Sequence, residues 1–119
     1  MRQHERNEQI QVFKWSALMV RKYPELELLY ASANGGSRNV IEAGNLKRSG
    51  VKRGMPDINL PVSKQGYHGL WIEMKHGKHK QTVEQERIME LLNEYGHACH
   101  ICYNSGEAID VISWYLGIK

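Results

Sequence analysis

The run Leu70-Trp71-Ile72-Glu73-Met74-Lys75 constrains this chain more than any other stretch. Its apolar residues read as a central strand with Leu70, Trp71, Ile72 and Met74 buried, yet two charges stand near its end. Side chains two apart on a strand share a face, so Glu73 and Lys75 point one way and Met74 the other. Burying a carboxylate or an ammonium is costly unless it is paired or bound to metal. Either the strand emerges into solvent, with Glu73 and Lys75 as surface residues or a same-face ion pair, or the fold keeps a site there. The residues upstream bear on the choice. Gly54 and Pro56 set an irregular approach, Asp57-Ile58-Asn59-Leu60 forms a short strand that Pro61 limits, and SKQGYHG makes a turn. Asp57 then starts one strand while Glu73 and Lys75 end the next, and two acids and a lysine converge. Carboxylate oxygens suit a divalent metal, and an ammonium beside them suits a phosphate or an activated water, which is the chemistry of phosphodiester hydrolysis.

The remaining chain supplies elements to hold such a pair of strands. From about Arg6 to Tyr23, Ile10, Phe13, Ala17 and Val20 follow helical spacing and Pro24 ends the run. Glu8, Gln9 and Gln11 fall in the first turns, where a solvated polar face accounts for them. LELLYASA (26 to 33) reads as a strand that stops at Asn34-Gly35-Gly36, residues that tolerate positive φ. Ser37 caps a short helix through about Ser49, with Val40, Ile41, Ala43 and Leu46 inward and Gly50 at its end. After the basic loop HGKHKQ, Thr82-Val83-Glu84-Gln85 fits a capping box and opens a helix to about Tyr95, with Ile88, Leu91, Leu92 and Tyr95 inward. HACHICY (97 to 103) reads as a strand, and Ser105 begins a last helix that buries Ala108, Val111, Ile112 and Tyr115. The order is αβα, ββ, αβα, an α/β chain whose mixed sheet is flanked by helices.

Composition excludes several classes. With 119 residues and 41% hydrophobic content, residues 1–119 make one domain with one core. No apolar run approaches the roughly 18 residues of a membrane span, and MRQHERNEQIQ lacks the apolar stretch of a signal peptide, so a cytoplasmic location is expected. Cys99 and Cys102 are too few for a disulfide scaffold and fit a reduced compartment; on a strand they face opposite sides, one to the core and one near the surface. His76, His79 and the Cys99-His100-Cys102 group suit zinc chemically, but the loop histidines are better placed in a basic rim. Trp15, Trp71 and Trp114 lie among apolar neighbours, as core or interface residues do. No Ser-His-Asp order, Walker loop or dinucleotide fingerprint is present, so no small-molecule cofactor is expected. The net charge of +3 is mild, but basic residues cluster in KRSGVKR (47 to 53) and KHGKHK (75 to 80), on either side of the two strands.

An Asp after Pro56 and a later Glu-x-Lys are common by themselves. Here they sit on consecutive strands, a basic segment leads in, another leads out, and a helix bearing Gln85 comes next. This arrangement resembles the PD-(D/E)xK, restriction-endonuclease-like superfamily. More narrowly, the chain looks like a stand-alone VRR-NUC nuclease domain over nearly its whole length. The similar pieces are EQIQ at Glu8, the ANGGSR turn, LKRSGVKRGMPD, HGLWIEMK, VEQ at the start of the third helix, and YG before the last strand. Ala33 departs from the Pro often found before Asn-Gly-Gly in relatives. The resemblance implies Asp57 and Glu73 as metal-binding carboxylates, Lys75 as the catalytic lysine and Gln85 as the glutamine near the site. Glu8 is similar to the helix-borne acid that completes the metal shell, with Glu5 one turn away; Met74 contributes only its carbonyl.

The same resemblance implies a DNA endonuclease that uses Mg²⁺ or Mn²⁺ to hydrolyse branched or flapped DNA, with homodimers that resolve four-way (Holliday) junctions. Two sites related by a two-fold axis would cut a symmetric junction in both strands. Lys47, Arg48, Lys52, Arg53, Lys78 and Lys80 would hold flanking phosphates, a contact that carries no base information. A non-catalytic, structure-selective nucleic-acid-binding module with the same fold is the alternative. An enzyme that reads a defined sequence is disfavoured, since the chain has no spare domain for base recognition.

Overall fold

The computed structural model describes residues 3–32 and 40–118, with side chains of the second helix described from Gly44 onward. The chain runs α1 (Gln3–Met19), a 3-10 helix (Pro24–Leu28), β1 (Tyr30–Ala31), α2 (Val40–Arg48), β2 (Ile58–Leu60), β3 (Leu70–Met74), α3 (Val83–Glu94), β4 (Ala98–Cys102) and α4 (Ser105–Leu116). The strands form a mixed sheet in the order β1-β2-β3-β4. β1 and β3 pair antiparallel with β2, and β4 runs parallel to β3 after the α3 crossover. This is the expected α/β mixed sheet flanked by helices.

Pleating sorts the strand residues by face. Ile58, Leu60, Leu70, Ile72, Met74, Ala98 and Cys102 join Val12, Leu26 and Leu29 and the α4 residues Ala108, Ile112 and Tyr115 in the core. Odd-numbered residues of β2 and β3, together with Asp57 and Lys75, face the other way, and all are buried. α3 serves that second face through Gln85. Tyr115 ties the layers together: its hydroxyl donates to the Val62 carbonyl at 2.5 Å and accepts from the Lys64 N–H at 3.3 Å. One glycine is required by geometry. Gly54 has φ 87°, and a Cβ there would meet the Glu84 backbone at 3.1 Å, so the segment leading to Asp57 can lie against the first turn of α3 only with glycine.

Four expectations change. LELLYASA is mostly not a strand: Pro24 opens a 3-10 helix, and among the described residues of the segment only Tyr30–Ala31 form a strand, because Pro24 at its first turn favours helical φ over a ladder. α1 buries Val12 and Ser16 and packs Phe13, Trp15, Met19 and Val20 on the core, so two residues of the expected stripe point inward, whereas Ile10 is 45% exposed and Ala17 is exposed. The buried face is thus rotated part of the way from the predicted stripe, toward α4 and the 3-10 helix that pack on α1. α3 buries Met89, while Leu91 and Tyr95 are exposed. Trp114 is 46% exposed, whereas Trp71 is buried and Trp15 half-buried. The Ser37 cap, the Asn34-Gly35-Gly36 turn and Ala33 lie outside the described residues, as do the side chains of Val40, Ile41 and Ala43. Cys102 is buried and Cys99 half-buried, both as free thiols. Among the described residues no helix is long and apolar enough to cross a membrane.

Tyr115→Phe keeps the ring and removes the bridge from α4 to the segment after β2. A loss of about 1 kcal/mol or somewhat more in urea-unfolding stability is expected, since the Val62 carbonyl loses its donor.

Candidate functional site

The β2–β3 register sets Ile58 opposite Ile72. Continued by one residue, it sets Asp57 opposite Glu73, so the two carboxylates are cross-strand neighbours at the end of the ladder, with Lys75 next on the same face. Asp57, Glu73 and Lys75 are 8%, 3% and 9% exposed. Asp57 is held from both sides of the chain: its Oδ2 accepts from the Met74 N–H at 2.7 Å, and its carbonyl accepts from the Ser32 N–H at 2.8 Å. The Ser32 hydroxyl donates to the Pro56 carbonyl at 2.8 Å, which steadies the irregular approach.

Gln85 organises the other half. The capping box predicted from Thr82 and Gln85 is present: the Gln85 N–H donates to Thr82 Oγ1 and the Thr82 N–H to Gln85 Oε1. The same Oε1 accepts from Lys75 Nζ at 2.8 Å, and Gln85 Nε2 donates to Glu73 Oε2 at 3.1 Å. Lys75 Nζ also lies 3.3 Å from Glu73 Oε2. Helix capping and site positioning are therefore one network, and the structural and functional accounts of Gln85 are not rivals. The network serves only one oxygen of Glu73. Its Oε1 is buried with no hydrogen-bond partner.

Charge makes this pair unusual. Burial pushes the Glu73 carboxyl up to about 8, Asp57 adds to the rise, and Lys75 offsets only part of it. Burial also raises Asp57, to about 6, against the lowering by the Met74 N–H and Lys75. Two carboxylates in one desolvated place repel each other and favour their protonated forms. A divalent cation would reverse that preference, and its natural ligands are such oxygens.

α1 reaches the site by its first turn. Glu5 acts electrostatically on both Asp57 and Glu73, raising both. Glu8 is engaged at one oxygen by the last helix: its Oε1 accepts from the Ser105 N–H at 2.8 Å, which satisfies a free donor at the start of α4. Helical periodicity leaves both acids on the site end of α1, and only the packing of α1 on α4 separates their roles. The His4 ring lies 3.7 Å, centroid to centroid, from His76, the residue after Lys75, and His76 lies 6.1 Å from His79. His4 carries no signal in the sequence, because it comes to His76 across the fold. Among the described residues no group of three or more His, Cys, Asp or Glu is placed to hold a metal ion. This leaves the zinc option at His76, His79 and Cys99-His100-Cys102 without a cluster to support it. Lys47, Arg48, Lys52 and Arg53 are exposed on the approach to Asp57, with Arg48 hydrogen-bonded to Asn45; Lys78 and Lys80 are exposed on the loop that leaves Lys75.

A solved structure described as a "VRR_NUC domain protein" superposes on this chain with a TM-score of 0.81 at 29% sequence identity, covering 99% of this chain and 92% of that one. No protein-family model and no curated protein matches the chain. The mixed sheet with its flanking helices is that of a VRR-NUC domain.

Both carboxyls are raised, so the folded protein holds protons that the unfolded chain releases between the usual carboxylate range and about pH 8. Metal-free stability is then expected to fall as pH rises through that window. Thermal unfolding in EDTA from pH 5 to pH 9 reads this: Tm should decline across the window, and decline less in Glu73→Gln, which lacks the titrating group. A Tm that climbs with pH equally in both proteins contradicts it.

Proposed function

We propose that this VRR-NUC-type domain is a divalent-metal-dependent DNA endonuclease that hydrolyses phosphodiester bonds in branched DNA, including four-way junctions cut by a homodimer. The observation that carries the proposal is the buried, unpartnered Oε1 of Glu73, which with Asp57 forms a pair whose burial and mutual repulsion disfavour two negative charges. A structural ion pair has no use for a buried oxygen left without a donor, and such a group calls for a partner. Mg²⁺ commonly binds through one or two carboxylates, several waters and substrate phosphates, so the described side chains suffice.

Asp57 and Glu73 would hold Mg²⁺ or Mn²⁺, with the Met74 carbonyl and an acid of α1, Glu5 or Glu8, completing the shell. Bound there, the ion supplies an activated water and charge neutralisation at the scissile phosphate. The chain's own residues do the rest. The Met74 N–H fixes one Asp57 oxygen and leaves the other for the ion. The Gln85 amide N–H donates to Glu73 Oε2 and leaves Glu73 Oε1 unengaged, and Gln85's own Oε1 holds the Lys75 ammonium. Lys75 is thereby positioned as a fixed positive charge for the attacking water or the developing phosphorane. The exposed Lys47, Arg48, Lys52, Arg53, Lys78 and Lys80 would take flanking phosphates, giving shape-selective and salt-sensitive binding.

Labelled duplex, single-stranded, 5′-flap and four-way-junction DNA, each with Mg²⁺, Mn²⁺ or EDTA, test the proposal. Expected is metal-dependent cutting of branched DNA at paired symmetric positions of the junction. Glu73→Ala and Asp57→Ala should abolish cutting while retaining binding, and Lys75→Ala should slow it by roughly 10²- to 10³-fold. If every DNA is bound and none is cut with either metal, the protein is the non-catalytic binding module instead.

A further inference from the structure

We infer that the face of α1 turned toward β1 is a nucleobase subsite: the groove between α1 and β1 takes an unpaired base of the DNA strand whose backbone passes the Asp57–Glu73 pair. The inference rests on the nuclease reading for the path of that strand.

Ile10 and Ala17, exposed on α1, and Phe13, half-buried and packed on the core, form one wall of an open groove of about 450 Å³, with Ala31 of β1 opposite. That volume lies in the range of sites for small ligands. Ile10 and Ala17 are exposed, so α1 carries apolar surface beyond the part that packs on the core. Arg6 and Lys14 stand at the margin of the groove. An apolar floor with cationic edges matches a nucleotide, whose ring is flat and apolar on its faces and whose phosphate is anionic. Gln9, also in the lining, has its Oε1 buried without a partner. A buried amide oxygen lacking a donor is costly, and the N–H groups on a base edge are donors of the right kind.

Position supports the same occupant. Gln9 follows Glu5 by one helical turn on the same face, and Glu5 is the acid whose charge reaches Asp57 and Glu73. The stretch from Gln9 to Phe13 therefore lies roughly 6 to 12 Å along the helix axis from Glu5, on the order of two or three nucleotides along a strand. A second copy of the chain is the other candidate occupant. A two-fold interface would set this patch against itself, bringing Arg6 and Lys14 toward their own counterparts, which disfavours it.

The test measures binding in EDTA, so that it does not depend on cleavage. Flap and single-stranded oligonucleotides, intact or with an abasic site at each successive position, are titrated against wild type and against Ile10→Ala/Gln9→Leu. Both substituted side chains lie outside the core, and a thermal melt checks the fold. Expected is one position, two or three nucleotides from the cleaved bond, where the abasic site weakens wild-type binding roughly ten-fold. The double variant should bind intact DNA equally weakly and lose nothing further from the abasic site. Its salt dependence should match wild type, whereas Arg6→Ala and Lys14→Ala should each lower the slope by about one. A 5-iodouracil at the sensitive position should crosslink to Phe13. An abasic penalty absent everywhere, or undiminished in the double variant, overturns the inference. So does a double variant that turns a dimer into monomers while its DNA affinity is unchanged, which would make the groove an interface between copies. If Glu73→Ala cuts DNA as well as wild type, the nuclease proposal fails while these binding results still decide the subsite.

Discussion

Two carboxylates facing each other across a pair of buried strands set the terms for the rest of this protein. Asp57 and Glu73 are desolvated together, and like charges in a poorly solvated place are unfavourable unless something cationic or hydrogen-bonding meets them. Much of the surrounding architecture meets them. The Met74 N–H, the Lys75 ammonium and the Gln85 amide each engage one of the two carboxylates, and Gly54 lets the approach to Asp57 lie against the helix that carries Gln85. What remains is an imbalance of one unpartnered oxygen and two raised carboxyls, which is the ground on which a divalent cation is proposed.

The network also couples stability to chemistry. The Thr82–Gln85 capping box satisfies donors at the start of α3, as capping boxes do elsewhere. Here the same glutamine oxygen is shared between the Thr82 backbone and the Lys75 ammonium. The orientation of a site residue is thus set by the first turn of a helix, an element that the β3–α3 crossover places beside the end of β3. A substitution that frays that turn loosens Lys75 and Glu73 at once, without touching either. Glu8 illustrates the converse. An acid at the right end of the right helix has one oxygen taken by the Ser105 N–H at the start of α4, while the charge of Glu5, one turn earlier, adds to the rise of the Glu73 carboxyl.

How far the sequence could be read depended on whether a signal was local. Glu73 and Lys75 share a face because strand alternation demands it, and the Thr82 cap stems from residue types three apart. The α4 stripe of Ala108, Ile112 and Tyr115 is buried as its spacing required. The order of helices and strands came from the same patterns, and so did the pairing of the acids on consecutive strands. LELLYASA failed because a short apolar run cannot by itself be told from a helical turn, and Pro24 decided it. The inward face of α1 was legible only in part: Phe13 and Val20 pack on the core, while Ile10 and Ala17 do not. The apolar residues of that helix span a wide arc, and periodicity cannot say which edge of the arc finds a partner.

The amino-acid sequence by itself determined the α/β alternation, the strand that carries Glu73 and Lys75, and the chemistry those residues suit, because each rests on spacings of two to four residues that backbone geometry fixes. Tertiary structure alone decided which oxygen of Glu73 is left without a partner, that Glu8 meets the Ser105 N–H, that His4 meets His76, and that Ile10 and Ala17 of α1 are exposed. Each of these joins residues far apart in the chain, and such contacts are set by how packed layers share the burial of apolar surface and the pairing of buried polar groups.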